Sequence, residues 1–168
     1  MEETYTTEER QTDKDRLIQL VGFVMGEELF GVDILMVQEI IREAFITPIP
    51  NSPEFIEGVI NLRGSIIPVI DLRKRLGLLK DARQSEDTWI LILNIEDRVT
   101  GFIVDSVSEV LKIQKGTIKP PPDIVVAGLQ SQYINGVCKI DKGLMVLLDF
   151  DRILLIDEIK RLKDMERE

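Results

Sequence analysis

Apolar residues come along this chain in short bursts separated by turns, a strand pattern more than a helical one. Leu20-Val21-Gly22-Phe23-Val24 leads through the polar turn Gly26-Glu27-Glu28 into Leu29-Phe30-Gly31-Val32, which predicts a β-hairpin. From Ile34 to Glu43 the apolar positions 34, 37, 40 and 41 fit a short helical turn, and Val37–Ile41 fits a strand equally well. Pro48, Pro50 and Pro53 with Asn51 and Ser52 mark an irregular loop. Strands are predicted at Gly58–Asn61 and Ser65–Leu72 about the turn Asn61-Leu62-Arg63-Gly64, in which Gly64 supplies a geometry that a Cβ would resist. Pro68 lacks a backbone donor and belongs at a sheet edge or bulge, a place where another chain could dock. The polar segment Lys80–Asp87 precedes Trp89–Ile95, and a second hairpin turns at Glu96-Asp97-Arg98 into Val99–Val104. After Pro120-Pro121-Pro122, strands resume at Tyr133–Ile140 and Leu144–Phe150, and Asp151–Glu168 predicts a helix striped by Leu155, Ile159 and Leu162.

The bursts repeat. Displaced by 70 residues, Leu20–Ile41 lies on Ile90–Leu111 without a gap, with Gly31 on Gly101, Val37 on Val107 and Glu39 on Glu109. Displaced by 78, Phe55–Leu76 lies on Tyr133–Leu154, with Ile56 on Ile134, Gly58 on Gly136 and Asp71 on Asp149. Shared periodicity explains the apolar matches but not glycines and acids falling in register over both windows. An internal duplication follows. Each half, about 65 residues with five strand candidates, suits a small closed barrel that hides its own edges. The expected fold class is mainly β: two similar five-stranded barrels from an internal duplication plus a short C-terminal α-helix. The expected divisions are a disordered polar tail over 1–16, one body over 17–160 and the helix over 151–168. Within the body, the barrels fall near 17–80 and 88–152, with exchange of elements between them left open.

Composition narrows the chemistry. The net charge of −9 repels phosphate backbones, and no Lys/Arg stripe overrides it, so nucleic acid is an unexpected partner. The chain has no histidine, which removes the commonest general base, Ser-His and Cys-His nucleophiles and imidazole metal sites. Its one cysteine, Cys138, sits in a strand pattern and reads as a buried structural thiol. Met1–Arg16 carries nine charged residues and no apolar signal region, and no stretch is long and apolar enough to span a membrane. Neither cofactor nor metal is expected. Carboxylates such as Asp141, Asp149 and Asp151 leave room for a small-barrel enzyme, although Asp151 reads more simply as a helix cap.

The halves also differ. Both carry Val-x-Glu-(Ile/Val), as Val37-Gln38-Glu39-Ile40 and Val107-Ser108-Glu109-Val110, yet only the first half has a cation in the later turn, Arg63, where the second has Asp141. The planar fork of Arg63 can pair with Glu39, or its stem can simply pack on the barrel.

Three segments resemble the CheW family: Phe30-Gly31-Val32-Asp33-Ile34 with Val37-Gln38-Glu39-Ile40, then Gly58–Leu72, then Gly101-Phe102-Ile103-Val104-Asp105-Ser106-Val107. The Asn-Leu-Arg-Gly turn followed by Ile-Pro-Val-Ile-Asp-Leu is the most specific of them, and the likeness covers roughly residues 17–160. The resemblance implies two SH3-like β-barrels and a non-enzymatic adaptor of bacterial chemotaxis, or the scaffold of a related chemosensory pathway. Such an adaptor joins the cytoplasmic hairpin tip of chemoreceptors (methyl-accepting chemotaxis proteins) to the regulatory domain of the kinase CheA. It implies receptor-binding residues Val37, Glu39, Arg63, Val104 and Val107, the two last lining a groove between barrels. It implies kinase-binding residues Ile46, Ile49, Phe55 and Gly58. Trp89 departs from the aliphatic residue that the family pattern leads one to expect. The expected protein is cytoplasmic, monomeric when isolated, brought to membrane receptor arrays by its partners, and without room for a fused receiver or kinase domain.

Overall fold

The computed structural model describes residues 13–42, 44–78, 88–121, 131–141 and 143–154. The described strands are β1 (Leu17–Met25), β2 (Glu28–Asp33), β3 (Val37–Ile41), β4 (Ile56–Leu62), β5 (Ser65–Asp71), β6 (Trp89–Ile95), β7 (Arg98–Val104), β8 (Ser106–Gln114), β9 (Ile134–Ile140) and β10 (Gly143–Leu148). The short helices α1 (Leu72–Leu76) and α2 (Phe150–Ile153) follow β5 and β10. The open choice at Ile34–Ile41 resolves as both: a 3-10 turn over Ile34–Met36, capped by Asp33, and then β3.

The strands form two five-stranded sheets, ordered β8-β1-β2-β10-β9 and β3-β6-β7-β5-β4. These sheets are not the two halves of the sequence, which corrects the boundaries 17–80 and 88–152. One barrel, here the middle barrel, is contiguous from Val37 to Val104. The other, the terminal barrel, joins β1 and β2 to β8, β9 and β10. The cause is pairing: β3 leaves its own hairpin to lie on β6 (Val37 opposite Leu93), and β8 lies on β1 (Val107 opposite Phe23). These two registers are related by the 70-residue displacement, as are the parallel contacts Gly31 to Leu147 and Gly101 to Val69 once the 78-residue displacement is added.

Each barrel closes where a loop crosses a strand opposite a glycine. Thr47 exchanges two backbone hydrogen bonds of 2.9 Å with Val59, and Lys119 exchanges bonds of 2.8 and 2.9 Å with Val137. A Cβ on Gly58 would lie 2.1 Å from the Thr47 carbonyl oxygen, and one on Gly136 would lie 3.1 Å from that of Lys119. Gly58 also has φ of 148°, backbone that side-chain-bearing residues rarely adopt.

The buried residues form three apolar layers. Ile60, Ile67, Val69, Ile90, Ile92 and Ile103 fill the middle barrel. Leu20, Met145 and Leu147 fill the terminal one. The largest layer lies between them and takes Phe23, Phe30 and Val146 from one side, and Ile70, Leu91, Phe102 and Val104 from the other. Burying a side chain of this size contributes about 1.5–3 kcal/mol relative to leaving it exposed, so separating the barrels would cost far more than opening any surface turn.

Other expectations are adjusted. Asp13–Arg16, assigned to the tail, lie against the terminal barrel, where the Lys115 N–H donates to the Arg16 carbonyl at 2.9 Å; residues 1–12 are outside the described set. Asp149, not Asp151, caps the final helix by accepting the Arg152 N–H at 3.2 Å, and Asp151 falls in its first turn. Of the helix predicted over 151–168, the part from residue 155 onward is outside the described residues. Pro68 lies within β5, an internal strand, one residue ahead of the parallel ladder that β5 makes with β7 from Val69 to Asp71. Cys138 is 1% exposed, a buried thiol on β9.

The closure predicts a graded pair of substitutions. Gly58→Ala should lower the unfolding free energy by about 2 kcal/mol or more, since strain and collision with Thr47 combine. Gly64→Ala, at φ of 89° with nothing within 4 Å of the new Cβ, should cost about 1 kcal/mol. Urea denaturation of both variants checks this, and equal losses would show that the Thr47 crossing is soft.

Candidate functional site

The Asn61-Leu62-Arg63-Gly64 turn joins β4 to β5. Arg63 and Gly64 both take positive φ, 51° and 89°, and the Asn61 carboxamide oxygen accepts the Gly64 N–H at 2.9 Å. This turn holds Arg63 out over β3. A bulge between Val37 and Glu39 interrupts the β3–β6 register and aims Glu39 toward it. Arg63 Nη2 donates to Glu39 Oε2 at 2.5 Å and Nη1 to Oε1 at 3.3 Å, a forked pair. The Arg63 side chain is 73% exposed, so the pair adds little to stability and instead presents an oriented charge. The Glu39 carboxyl lies below its ordinary value chiefly because Arg63 hydrogen-bonds to its ionised form, and the Arg63 guanidinium is raised by the same bond.

An open groove of about 750 Å³ runs beside this pair, lined by Gln38, Leu62, Ile66, Pro68, Glu96 and Arg98 among others. Ile66 is 61% exposed on its wall. The equivalent turn of the terminal barrel has Asp141 in place of Arg63, so the same fork to Glu109 cannot form there.

The remaining predicted residues divide by burial. Val37 on β3 and Val107 on β8 are half-buried and pack on the rim of the layer between the barrels, one from each barrel. Val104 is fully buried in that layer and offers no surface, contrary to a groove-lining place. Ile46, Ile49 and Phe55 are half-buried around the loop that closes the middle barrel. Gly58 is buried beneath that loop, against Thr47 and Ile46, and shapes the surface without forming part of it. Trp89 is half-buried opposite Val104, with the Arg42 guanidinium 5.3 Å above its ring.

Sequence reasoning missed α1 and the cations it carries. Asp71 caps this helix through the Arg73 N–H, at 3.0 Å, and Gly77 ends it in the left-handed conformation. Arg75 reaches between the barrels: its guanidinium lies 5.4 Å from the Phe55 ring and 5.1 Å from that of Tyr133, and it donates to the Ile153 carbonyl at 3.1 Å. Lys74 Nζ pairs with Glu57 at 2.6 Å. The signal was present as Asp71 and Gly77 spaced to bracket one helical turn. Among the described residues, no group of three or more Cys, Asp and Glu is placed to hold a metal ion, and no helix is long and apolar enough to cross a membrane.

Comparison with known proteins converges on one family. A family model described as the CheW-like domain matches residues 19–158. The chain is 36% identical over 154 residues to the chemotaxis protein CheW of Treponema pallidum, covering 90% of each. It is 39% identical over 137 residues to that of Klebsiella aerogenes, covering 82% of this chain and 81% of the relative. The crystal structure of the scaffolding protein TtCheW from Thermoanaerobacter tengcongensis superposes with a TM-score of 0.77 at 39% identity, covering 85% of this chain and 91% of that one.

The fork has a pH signature. Glu39 has a depressed folded-state value, so the pair is intact above the ordinary glutamate value near 4.5 and is lost only as pH falls through the lower folded-state value. In an NMR titration the Glu39 carboxyl carbon should turn over below the ordinary range, and Arg63→Gln should return it there. An unchanged midpoint in Arg63→Gln would show that the fork does not persist in solution.

Proposed function

This chain belongs to the CheW family, and from that membership we propose that it is an adaptor of chemotaxis signalling that holds two partners on separate faces. One is the cytoplasmic hairpin tip of a chemoreceptor, and the other is the regulatory domain of the kinase CheA. The receptor face comprises Val37, Glu39, Arg63 and Val107, with Val104 supporting it from beneath. The kinase face comprises Ile46, Ile49 and Phe55 over Gly58. The protein acts by binding alone, in the cytoplasm, and reaches the membrane through the receptor it holds.

The forked Glu39–Arg63 pair is the observation that carries the receptor face. An exposed Arg held by its own carboxylate loses little freedom when a partner arrives, because its orientation is already set. Val37 lies two residues from Glu39 and supplies apolar area at the rim of the inter-barrel layer. An oriented charge beside half-buried apolar side chains suits a helical hairpin, whose surface alternates apolar and charged residues. The middle barrel alone has this combination, since Asp141 replaces Arg63 in the other.

Capture of purified receptor tip fragments by the full chain tests the assignment. Arg63→Ala should weaken capture by about tenfold or more, the effect of losing a central anchor, and Glu109→Ala should change it by less than about twofold. Equal defects in the two variants would sink the asymmetry on which the receptor face rests.

A further inference from the structure

The chain passes from the middle barrel to the terminal barrel through one residue. β7 ends at Val104, β8 begins at Ser106, and Asp105 stands between them. Its N–H donates to the Val24 carbonyl of β1 at 3.1 Å. Its Oδ2 accepts the Gly26 N–H, in the β1–β2 turn, at 2.6 Å. Its Oδ1 accepts Arg73 Nη1 at 2.8 Å, from α1 of the middle barrel. Arg73 is in turn gripped by Asp71, Nε to Oδ1 at 3.2 Å and Nη2 to Oδ2 at 3.1 Å.

We propose that Asp105 and Arg73 form the joint that sets the angle between the barrels, and that Asp105 is a positioning residue for the receptor face. The proposal rests on the adaptor reading given above. One guanidinium is held between two carboxylates, with side-chain exposures of 10% for Arg73, 5% for Asp71 and 20% for Asp105. Charged hydrogen bonds this far from water are strong and directional, and the planar fork of Arg73 admits few geometries. The Asp105 carboxylate therefore ties the turn of one barrel to the helix of the other while its backbone carries the crossing.

Among the described residues the joint occurs once. The other crossing runs from Asp33 through the 3-10 turn Ile34–Met36, and there the Asp33 carboxylate caps the local turn by accepting the Leu35 N–H at 2.9 Å. By the repeat, the counterpart of Arg73 is Asp151 and that of Asp105 is Leu35, so duplication did not reproduce the clamp. Its consequence falls on the receptor face. Val107 lies two residues beyond Asp105 on the terminal barrel, whereas Val37, Glu39 and Arg63 belong to the middle barrel. A partner touching both sets reads the angle between them. The kinase-face residues Ile46, Ile49 and Phe55 lie between β3 and β4, on segments of the middle barrel, and of the three Phe55 alone packs against the layer between the barrels.

That difference separates positioning from mere folding. The full chain bearing Asp105→Asn, which keeps shape and removes charge, is assayed for capture of the receptor tip fragment and of the CheA regulatory domain. Arg73→Lys, which keeps charge and loses the fork, is assayed beside it in case the first variant folds poorly. Receptor capture should fall by about fivefold or more, the lower range of coupling between linked sites, while kinase-domain capture changes by less than about twofold. Spin labels at Asp97 and Lys112, one on each barrel in a Cys138→Ala background, should show a broadened or shifted distance in both variants. Equal losses of both partners, or no loss of either, would overturn the joint. A wild-type chain that captured neither partner would overturn the adaptor reading instead, and the label distances would then decide the joint alone, an unchanged distribution refuting it.

Discussion

The pairing of β3 with β6 and of β8 with β1 is the constraint from which the rest of the molecule follows. A hairpin such as β1–β2 leaves an edge that must be covered, and here the covering strand comes from the far side of the sequence. Once β8 lies on β1, the strands β9 and β10 must follow it into the terminal barrel, and the middle barrel is left as one contiguous run. The two crossings hold the barrels together, and their facing surfaces become the largest apolar layer among the described residues. The closing loops each pass over a strand of their own barrel at backbone hydrogen-bonding distance. Gly58 and Gly136 stand at those two passes.

Duplication built this skeleton twice, and the skeleton has stayed symmetric where packing governs it. Asp71 and Asp149 cap equivalent helices, and their N–H groups donate to the equivalent carbonyls of Phe55 and Tyr133 at 2.8 and 2.9 Å. The cations have not stayed symmetric: Arg63, Arg73 and Arg75 correspond to Asp141, Asp151 and Ile153. All three lie in turns or short helices, outside the β ladders, where a new side chain disturbs no register. Arg75 even uses the symmetry, since the rings of Phe55 and Tyr133 on which it lies are counterparts in the repeat. The difference in cations between the halves thus falls outside the β ladders.

The hairpins, the duplication and the buried Cys138 could be read from the sequence because each is written in local alternation or in register over a window. The exchange of strands could not. Alternation along β3 says which face is buried, not whose edge covers it, and pairing with β1 or β6 would preserve the same pattern. Burial was illegible for a related reason at Val104 and Gly58, where a small or branched apolar residue serves a partner-facing groove and an internal layer equally well. Helix α1 was hidden by the long apolar run ahead of it, although Asp71 and Gly77 bracketed its five residues. Arg63 and Glu39 were legible as candidates for pairing because the two halves of the sequence differ there, whereas their forked geometry depends on the β3 bulge and the positive-φ turn, which local alternation does not encode.

Strand β4 connects the two proposed partner faces, with Gly58 near its start and Arg63 just beyond its end. At about 3.3 Å per residue the five steps between them span about 17 Å, a length that no partner can alter. Slipping β4 by one residue would turn Ile60 from the barrel interior to solvent and lose its burial, so the strand acts as a ruler. A signal passing between the two proposed faces therefore cannot travel as a change in the middle barrel's own dimensions. It needs an element with more than one arrangement whose balance both partners bias. The barrels are each held by a filled interior, and two such bodies sharing one layer can move chiefly in their mutual angle. A partner confined to the middle barrel leaves that angle free, whereas one that touches both Val37 and Val107 must select among angles in order to bind.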